Sequence, residues 1–270
     1  MKIIKETTIA GNIIHRTIKV PSGKHGGKRK ARKTYTSEAV KKNNFRLAVW
    51  RLWMLLCNNF TQKDAHFTLT HAGEEPSKEE AANYRKKFIA KLRKEFRKKG
   101  KELKYIMVTE MENRRIHHHV VINTQDITLI QRVWTSGHVH ATPLYEEGDY
   151  HDLAEYLVKE TEKTFRLEDS QHKHRYTRSR NLIMPVTKRE EVGAKALSEE
   201  PHAVKGYYIP KERINRFEHP VTGLTHLEYI EVAIKEPKKY KRWPRGKKVI
   251  VKEWFKANKN TGIQEEWQYD

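Results

Sequence analysis

Apolar positions along this chain switch period several times, and each switch predicts an element. Residues 105–109 (YIMVT) and 120–122 (VVI) are mostly β-branched or aromatic and flank a mostly polar stretch at 111–115, the pattern of two strands joined by a turn. Residues 67–71 (FTLTH) read as another strand, ended by Gly73 and Pro76. The next segment is the clearest helix. Ser77 and Glu80 form an S-x-x-E capping box, Gly100 marks the stop, and Tyr84, Phe88, Leu92 and Phe96 recur every fourth residue with Ala81 and Ile89 beside them. Its other face carries Lys86, Lys87, Lys91, Arg93, Lys94, Arg97, Lys98 and Lys99, which suits either a solvated surface or a DNA-binding flank.

Before that helix, residues 37–58 predict another, with Val40, Leu47, Trp50, Trp53, Met54 and Cys57 as its buried stripe. After the hairpin come a short helix at 126–134, a strand at 138–144, and a helix from about 150 to 164 capped by Asp149. Residues 165–180 are polar and basic. The remainder is less regular up to a final strand near 227–234, and reads as an extension.

The second strand of the hairpin changes the picture from fold to chemistry. Side chains alternate along a strand, so His117 and His119 share one face while Ile116, His118 and Val120 take the other. Two imidazoles on one face can grip one metal ion, and Glu110, closing the preceding strand, can add a carboxylate across the hairpin. With 15 histidines in the chain, chance supplies roughly one His-x-His pair. Three occur, but His138/His140 reads as solvated strand positions and His172/His174 lies in a polar run; only His117/His119 combines an apolar strand with a neighbouring acid. The plain alternative is a pair of surface histidines in a basic protein.

Composition narrows the partners. Lys+Arg 55 against Asp+Glu 34 leaves a formal charge of +21, a field that attracts nucleic acid or an anionic membrane surface. The longest apolar run, residues 52–57, is far short of the ~20 residues a membrane span needs, and the N-terminus lacks a signal-peptide core. One cysteine, Cys57, excludes an internal disulfide and fits a reducing cytoplasm; it reads as a small buried hydrophobe. Residues 1–36 begin with a β-like patch and become a basic, Gly-containing run that is expected to be flexible. Lys28, Arg29, Lys30, Arg32 and Lys33 there, and Arg175, Arg178 and Arg180 after the last regular helix, are the candidate phosphate contacts, with a merely solvated tail as the alternative.

A metal centre on a sheet needs a reacting group. The helix capped by Asp149 supplies Tyr156 with Lys159 one turn later. Two other Tyr-x-x-Lys pairs exist, but Tyr84 belongs to an apolar stripe and Tyr208 is followed by Pro210, which argues against a helix. A phenolate is a competent nucleophile at phosphorus, although an ordinary phenol pKa near 10 requires activation. A divalent ion on the scissile phosphate and the Lys159 ammonium would both offset developing charge.

The order FTLTH (67–71), VTEMENRRIHHHVVIN (108–123), AEYLVKE (154–160) resembles the three motifs of the HUH-endonuclease replication initiators, most closely the single-tyrosine rolling-circle type of filamentous phages and related bacterial mobile elements. NNFTQKDAHFTLTH and SRNLIMP extend the likeness over about 37–186, which sets the expected nuclease domain between a basic segment at 1–36 and an extension at 187–270. The resemblance implies an α+β fold, an antiparallel sheet of RRM-like or palm-like type with flanking helices and the metal on one face. It further implies His117, His119 and Glu110 as ligands of Mg²⁺ or Mn²⁺, Tyr156 as nucleophile, Lys159 as active-site cation, and single-stranded origin DNA as substrate. In two respects the chain departs from the pattern: the middle residue of the His motif is itself His118, and only one convincing active-site tyrosine is present. No phosphate-binding loop is found, so a host helicase is the expected partner. A relaxase or single-tyrosine transposase shares the chemistry. A water-using phosphoesterase and an inert basic DNA-binding module are the readings from other classes.

Overall fold

The alternation read at 65–70, 105–110 and 117–122 resolves into one antiparallel sheet. The computed structural model describes residues 2–21, 37–111, 115–145, 148–161, 175–219 and 221–234. Its elements are β1 (Ile3–Ala10), β2 (Ile13–Lys19), α1 (Glu38–Asn59), β3 (Ala65–Thr70), α2 (Lys78–Lys98), β4 (Tyr105–Glu110), β5 (His117–Ile122), α3 (Ile127–Val133), β6 (Val139–Pro143), α4 (His151–Glu160), β7 (Thr177–Arg178), β8 (Thr187–Val192), β9 (Tyr207–Tyr208), β10 (Asn215–Glu218) and β11 (Thr225–Ala233), with 3₁₀ turns at Ala194–Leu197 and Lys211–Arg213. The fold is therefore α+β, as the resemblance implied, and it divides into two units, Thr34–Pro185 and the pair of segments Met1–Lys33 and Val186–Asp270.

In the unit Thr34–Pro185 the strand order is β6-β3-β5-β4-β7, all antiparallel, with β5 at the centre. One face of this sheet is apolar. Phe67 and Leu69 of β3, Met107 of β4 and Val120 and Ile122 of β5 pack against Phe88, Ile89, Leu92 and Phe96 of α2 and Leu129, Ile130 and Val133 of α3. Helix α2 starts where its capping box demands: the Ser77 hydroxyl accepts from Glu80 N at 3.2 Å, and Ser77 N donates to the Glu80 carboxylate at 2.9 Å. Tyr84 departs from the expected stripe; it is 37% exposed, with its ring against His71.

The expected single stripe on α1 also needs correcting. Its C-terminal half is buried around most of its circumference, with Leu52, Leu55, Leu56 and Asn59 joining Trp53, Met54 and Cys57, while Leu47 is exposed and Trp50 half-buried. A helix covered on several sides has no single polar face, so its periodicity is misleading. Trp53 holds the start of α4 by donating to Asp149 Oδ1 at 2.8 Å. Asp149 also accepts from His151 N at 3.1 Å, so it caps α4 although Tyr150 is the boundary residue. Gly137 lies so close to β3 that a Cβ there would sit 2.2 Å from the Thr70 carbonyl oxygen.

The other unit is a six-stranded antiparallel sheet, β10-β11-β2-β1-β8, with β9 also on β11. Residues 3–19, expected within a flexible basic segment, form its central hairpin, and they pair with β8 and β11 from the far end of the chain. Arg16 is buried beside Glu231, which is wholly buried; the guanidinium Nε donates to the Glu231 carboxylate, Arg16 Nη1 donates to Thr7 Oγ1 at 3.0 Å, and Val204 N donates to the second Glu231 oxygen at 2.8 Å. The basic run with Lys28, Arg29, Lys30, Arg32 and Lys33 lies outside the described residues, as do His172 and His174. Among the described residues no helix is long and apolar enough to cross a membrane.

Candidate active site

Strand β5 carries three consecutive histidines, and the pleat sends them to opposite faces. His118 is fully buried on the α2 face, its Nδ1 2.8 Å from Thr109 Oγ1 and its Nε2 3.4 Å from His71 Nε2. Burial, followed by the charges of His71 and Arg85, holds its pKa well below the usual histidine value. His118 is thus a neutral member of a hydrogen-bonded core cluster, on the face away from His117 and His119.

On the other face, Glu110 lies directly across from His117 in the β4–β5 ladder. Glu110 Oε2 is 3.0 Å from His117 Nε2, and His117 Nε2 is 3.1 Å from His119 Nε2. All three donor atoms fall within 4.8 Å of one another, in a group that is mostly buried and able to hold a metal ion. Helix α4 lies over this face and brings the Tyr156 hydroxyl to 3.2 Å from His119 Nε2, with the two rings edge to face. Tyr156 is 41% exposed, so an incoming polymer can reach its oxygen.

The donor set fits a cation because the outer nitrogens of both imidazoles are engaged. His117 Nδ1 is 2.9 Å from the Arg115 carbonyl, which can only accept, so Nδ1 donates outward and Nε2 is the atom turned towards the cluster. His119 Nδ1 is 3.1 Å from His66 Nε2 and 3.4 Å from Thr68 Oγ1. Two Nε2 atoms and a carboxylate oxygen thus converge on one face, donor types that a divalent cation takes. Burial, then His66 and His117, depresses the His119 pKa to about 3; burial, then His140, takes His66 to about 4. Burial therefore favours the neutral forms of His119 and His66.

His66 is the residue that sequence reading missed. It lies on β3 two positions before Thr68, which pairs with His119, so it shares the face of the cluster. Its signal was present in the alternation of AHFTLT, where His66, Thr68 and Thr70 oppose Phe67 and Leu69, but the neighbouring strand had to be known.

The other expected residues are spread more widely. Lys159 is exposed one turn beyond Tyr156 and makes no ion pair with a described residue. Arg178 is exposed on the edge strand β7; it pairs with Ile106, hence projects on the same face as Glu110. Arg180 is exposed, whereas the Arg175 guanidinium reaches back to the Val158 carbonyl at 3.5 Å. His138, just before the edge strand β6, and His140 within it are exposed. A recess of about 600 Å³ adjoins the cluster, lined among others by Thr68, Thr70, Arg115, His117 and His138.

The strand carrying His66, the Glu110–His117–His119 group that could hold a metal ion, and Tyr156 fall within one matched segment. Residues 64–165 match the family described as Replication-associated protein, ORF2 or gene 2 protein. The matched segment spans β3 through α4, the part of the Thr34–Pro185 unit that carries the site. No match was found among curated proteins or among solved structures. The likeness to replication-associated proteins thus covers the site-bearing segment and includes none of the β1–β2–β11 sheet.

Proposed function

We propose that this protein initiates rolling-circle replication by nicking single-stranded origin DNA through Tyr156. The observation that carries this reading is the convergence of Glu110, His117, His119 and the Tyr156 hydroxyl, within a segment similar to replication-associated proteins.

Glu110, His117 and His119 would hold a divalent ion. Two imidazoles and a carboxylate would suit a divalent ion such as Mg²⁺ or Mn²⁺. When bound, that ion supplies Lewis-acid polarisation of the scissile phosphate and offsets its developing charge. The chain's own groups do the rest. His66 holds the His119 ring with its Nε2 lone pair inward, and α4 holds Tyr156 where its oxygen can attack phosphorus in line. As the Tyr156 Oη–P bond forms, the P–O3′ bond breaks; the phenolic proton goes to solvent and the departing 3′ oxygen takes one up. The products are a 5′-phosphotyrosyl enzyme and a free 3′ hydroxyl. Because the phosphodiester energy is retained in the adduct, the 3′ hydroxyl of a strand can reverse the step and rejoin DNA without ATP. Lys159, exposed beside Tyr156, is positioned to pair with a flanking phosphate, and Arg178 extends positive charge along the same face. Unwinding would fall to a separate helicase.

The test uses a single-stranded DNA library labelled at both ends, incubated with Mn²⁺ or Mg²⁺ and resolved on a denaturing protein gel. Wild type should give a DNA-linked band that Tyr156→Phe and His119→Ala both lack. Cleavage that persists unchanged in Tyr156→Phe with no adduct would identify a water-using phosphoesterase instead. A relaxase or transposase would give the same band, and sequencing of the adducts separates these by target.

A further inference from the structure

The basic face of α2 has no part in the chemistry proposed above. Its apolar residues Phe88, Ile89, Leu92 and Phe96 pack on the sheet face opposite Tyr156, so its outer face points away from the active site. On that outer face Lys86, Lys87, Lys91, Arg93, Lys94 and Arg97 are all exposed, and none makes an ion pair with a described residue. Lys86, Arg93 and Arg97 lie along one line of the helix, spaced by seven and four residues, and span about 16 Å at 1.5 Å per residue. Ala90 sits between the rows and leaves the backbone approachable.

Two features separate this strip from a merely solvated face. Lys87 with Lys91, Lys91 with Lys94 and Arg93 with Arg97 are like-charge neighbours at three- or four-residue spacing, each of which disfavours the helix. The same helix does use an acid where it can relieve charge: Glu95 pairs with both Lys98 and Arg132. The exposed aromatic of α2, Tyr84, lies before the strip with its ring against His71, and no exposed aromatic falls among the cations from Lys86 to Arg97, so the strip offers mainly charge rather than a stacking surface. The densest regular array of phosphates is that of duplex DNA, with one charge per ~1.7 Å of axis.

We infer that the outer face of α2 is a docking surface for the phosphate backbone of duplex DNA, separate from the strand being cut. This builds on the nicking reading, because it assigns the duplex flanking a nick site to the far side of the sheet. Binding there needs neither metal nor Tyr156, and it is blind to base sequence.

The experiment measures binding of a mixed-sequence duplex by fluorescence anisotropy in EDTA across a salt series. It compares wild type, the triple variant Lys86→Gln/Arg93→Gln/Arg97→Gln, and a control that removes the same charge elsewhere, Lys195→Gln/Lys205→Gln/Lys211→Gln. Loss of three phosphate contacts should flatten the slope of log K against log salt by about 2.7 in the first triple and little in the control, and Lys86→Arg/Arg93→Lys/Arg97→Lys should keep the wild-type slope. Equal losses in both glutamine triples, or none in either, overturn the inference. Strip-dependent capture by anionic phosphatidylserine vesicles without duplex binding also overturns it and names a membrane surface instead. Cleavage of a short single strand by the first triple should match wild type; if it is lost where wild type cuts, the strip serves the reacting strand and the separate surface is wrong. Absence of cleavage in wild type would count against the nicking reading and leave the EDTA measurement to decide this one.

Discussion

Two buried polar clusters, one in each unit, use similar residue types to opposite effect. Around Glu231 every donor meets an acceptor: Arg16 Nε and Val204 N serve the carboxylate, and Arg16 Nη1 serves Thr7. Around Glu110 three potential metal-ligand atoms crowd together, with His117 Nε2 at 3.0 Å from the carboxylate and 3.1 Å from His119 Nε2. The first cluster is closed and stabilises a sheet. The second groups atoms that could hold a metal ion, and the Tyr156 hydroxyl stands 3.2 Å from its edge. Burial of charge alone therefore does not single out a functional site; the pairing of donors with acceptors does.

Five measurements can break or sharpen that contrast. The largest effect should come from Tyr156→Phe, with strand cleavage falling on the order of 10³-fold or more while Mn²⁺ titration of the protein stays near wild type; a variant that still forms the DNA adduct would remove Tyr156 from the chemistry. Next, Arg16→Met should lower unfolding free energy by about 3–5 kcal/mol, because it strands the Glu231 charge, and Arg16→Met/Glu231→Leu should recover most of it. Glu110→Gln should contrast with it, weakening ion binding while lowering urea stability of the metal-free protein less than Arg16→Met does. Similar unfolding penalties for Arg16→Met and Glu110→Gln would erase the distinction between closed and open clusters.

A smaller change is expected of His66→Phe. Without the partner for His119 Nδ1, Mn²⁺ affinity measured by calorimetry should drop about 10- to 100-fold. Unchanged affinity would reduce His66 to packing. The last measurement is a tilt with pH in the metal-free protein. His66 and His119 have folded pKa values of about 4 and about 3, below the ordinary 6.5, so between those limits the unfolded chain binds more protons than the folded one. Their contribution is intact above about pH 6.5 and is lost as pH falls towards 4, so the urea midpoint should be lower at pH 5 than at pH 7. A midpoint that rises on acidification would mean that the folded cluster takes up protons readily.

Much of the unit holding the site was readable because its signals are local. The capping box of Ser77 and Glu80, the four-residue repeat of α2 and the alternation of β3 and β5 each lie within a few turns of chain. That His117 and His119 share a face follows from the pleat alone. The other sheet was readable only in pieces, the β-like patch at the start and the final strand near 227–234; its pairing was not, since the hairpin at 3–19 finds partners more than 160 residues away. One of those partners, TKREEV in β8, has no apolar alternation at all. The α1 stripe misled because burial on several sides erases periodicity, and His66 was hidden because its meaning depends on which strand lies beside β3.

The triplet His117–His118–His119 also sets a problem of framing. A strand shifted by one residue would still present a histidine to the cluster face, but only one, His118, flanked by Ile116 and Val120. The correct frame is pinned from outside the triplet, by Ile116 N donating to the Glu75 carboxylate at 2.8 Å, by Arg115 donating to the Gly73 carbonyl, and by the tight approach of Gly137 to β3. A preparation containing misframed molecules would keep most of its secondary structure while losing the bidentate grip of His117 and His119. Ion stoichiometry would then be a census of the properly framed chains: a titration that saturates below one ion per chain counts the rest.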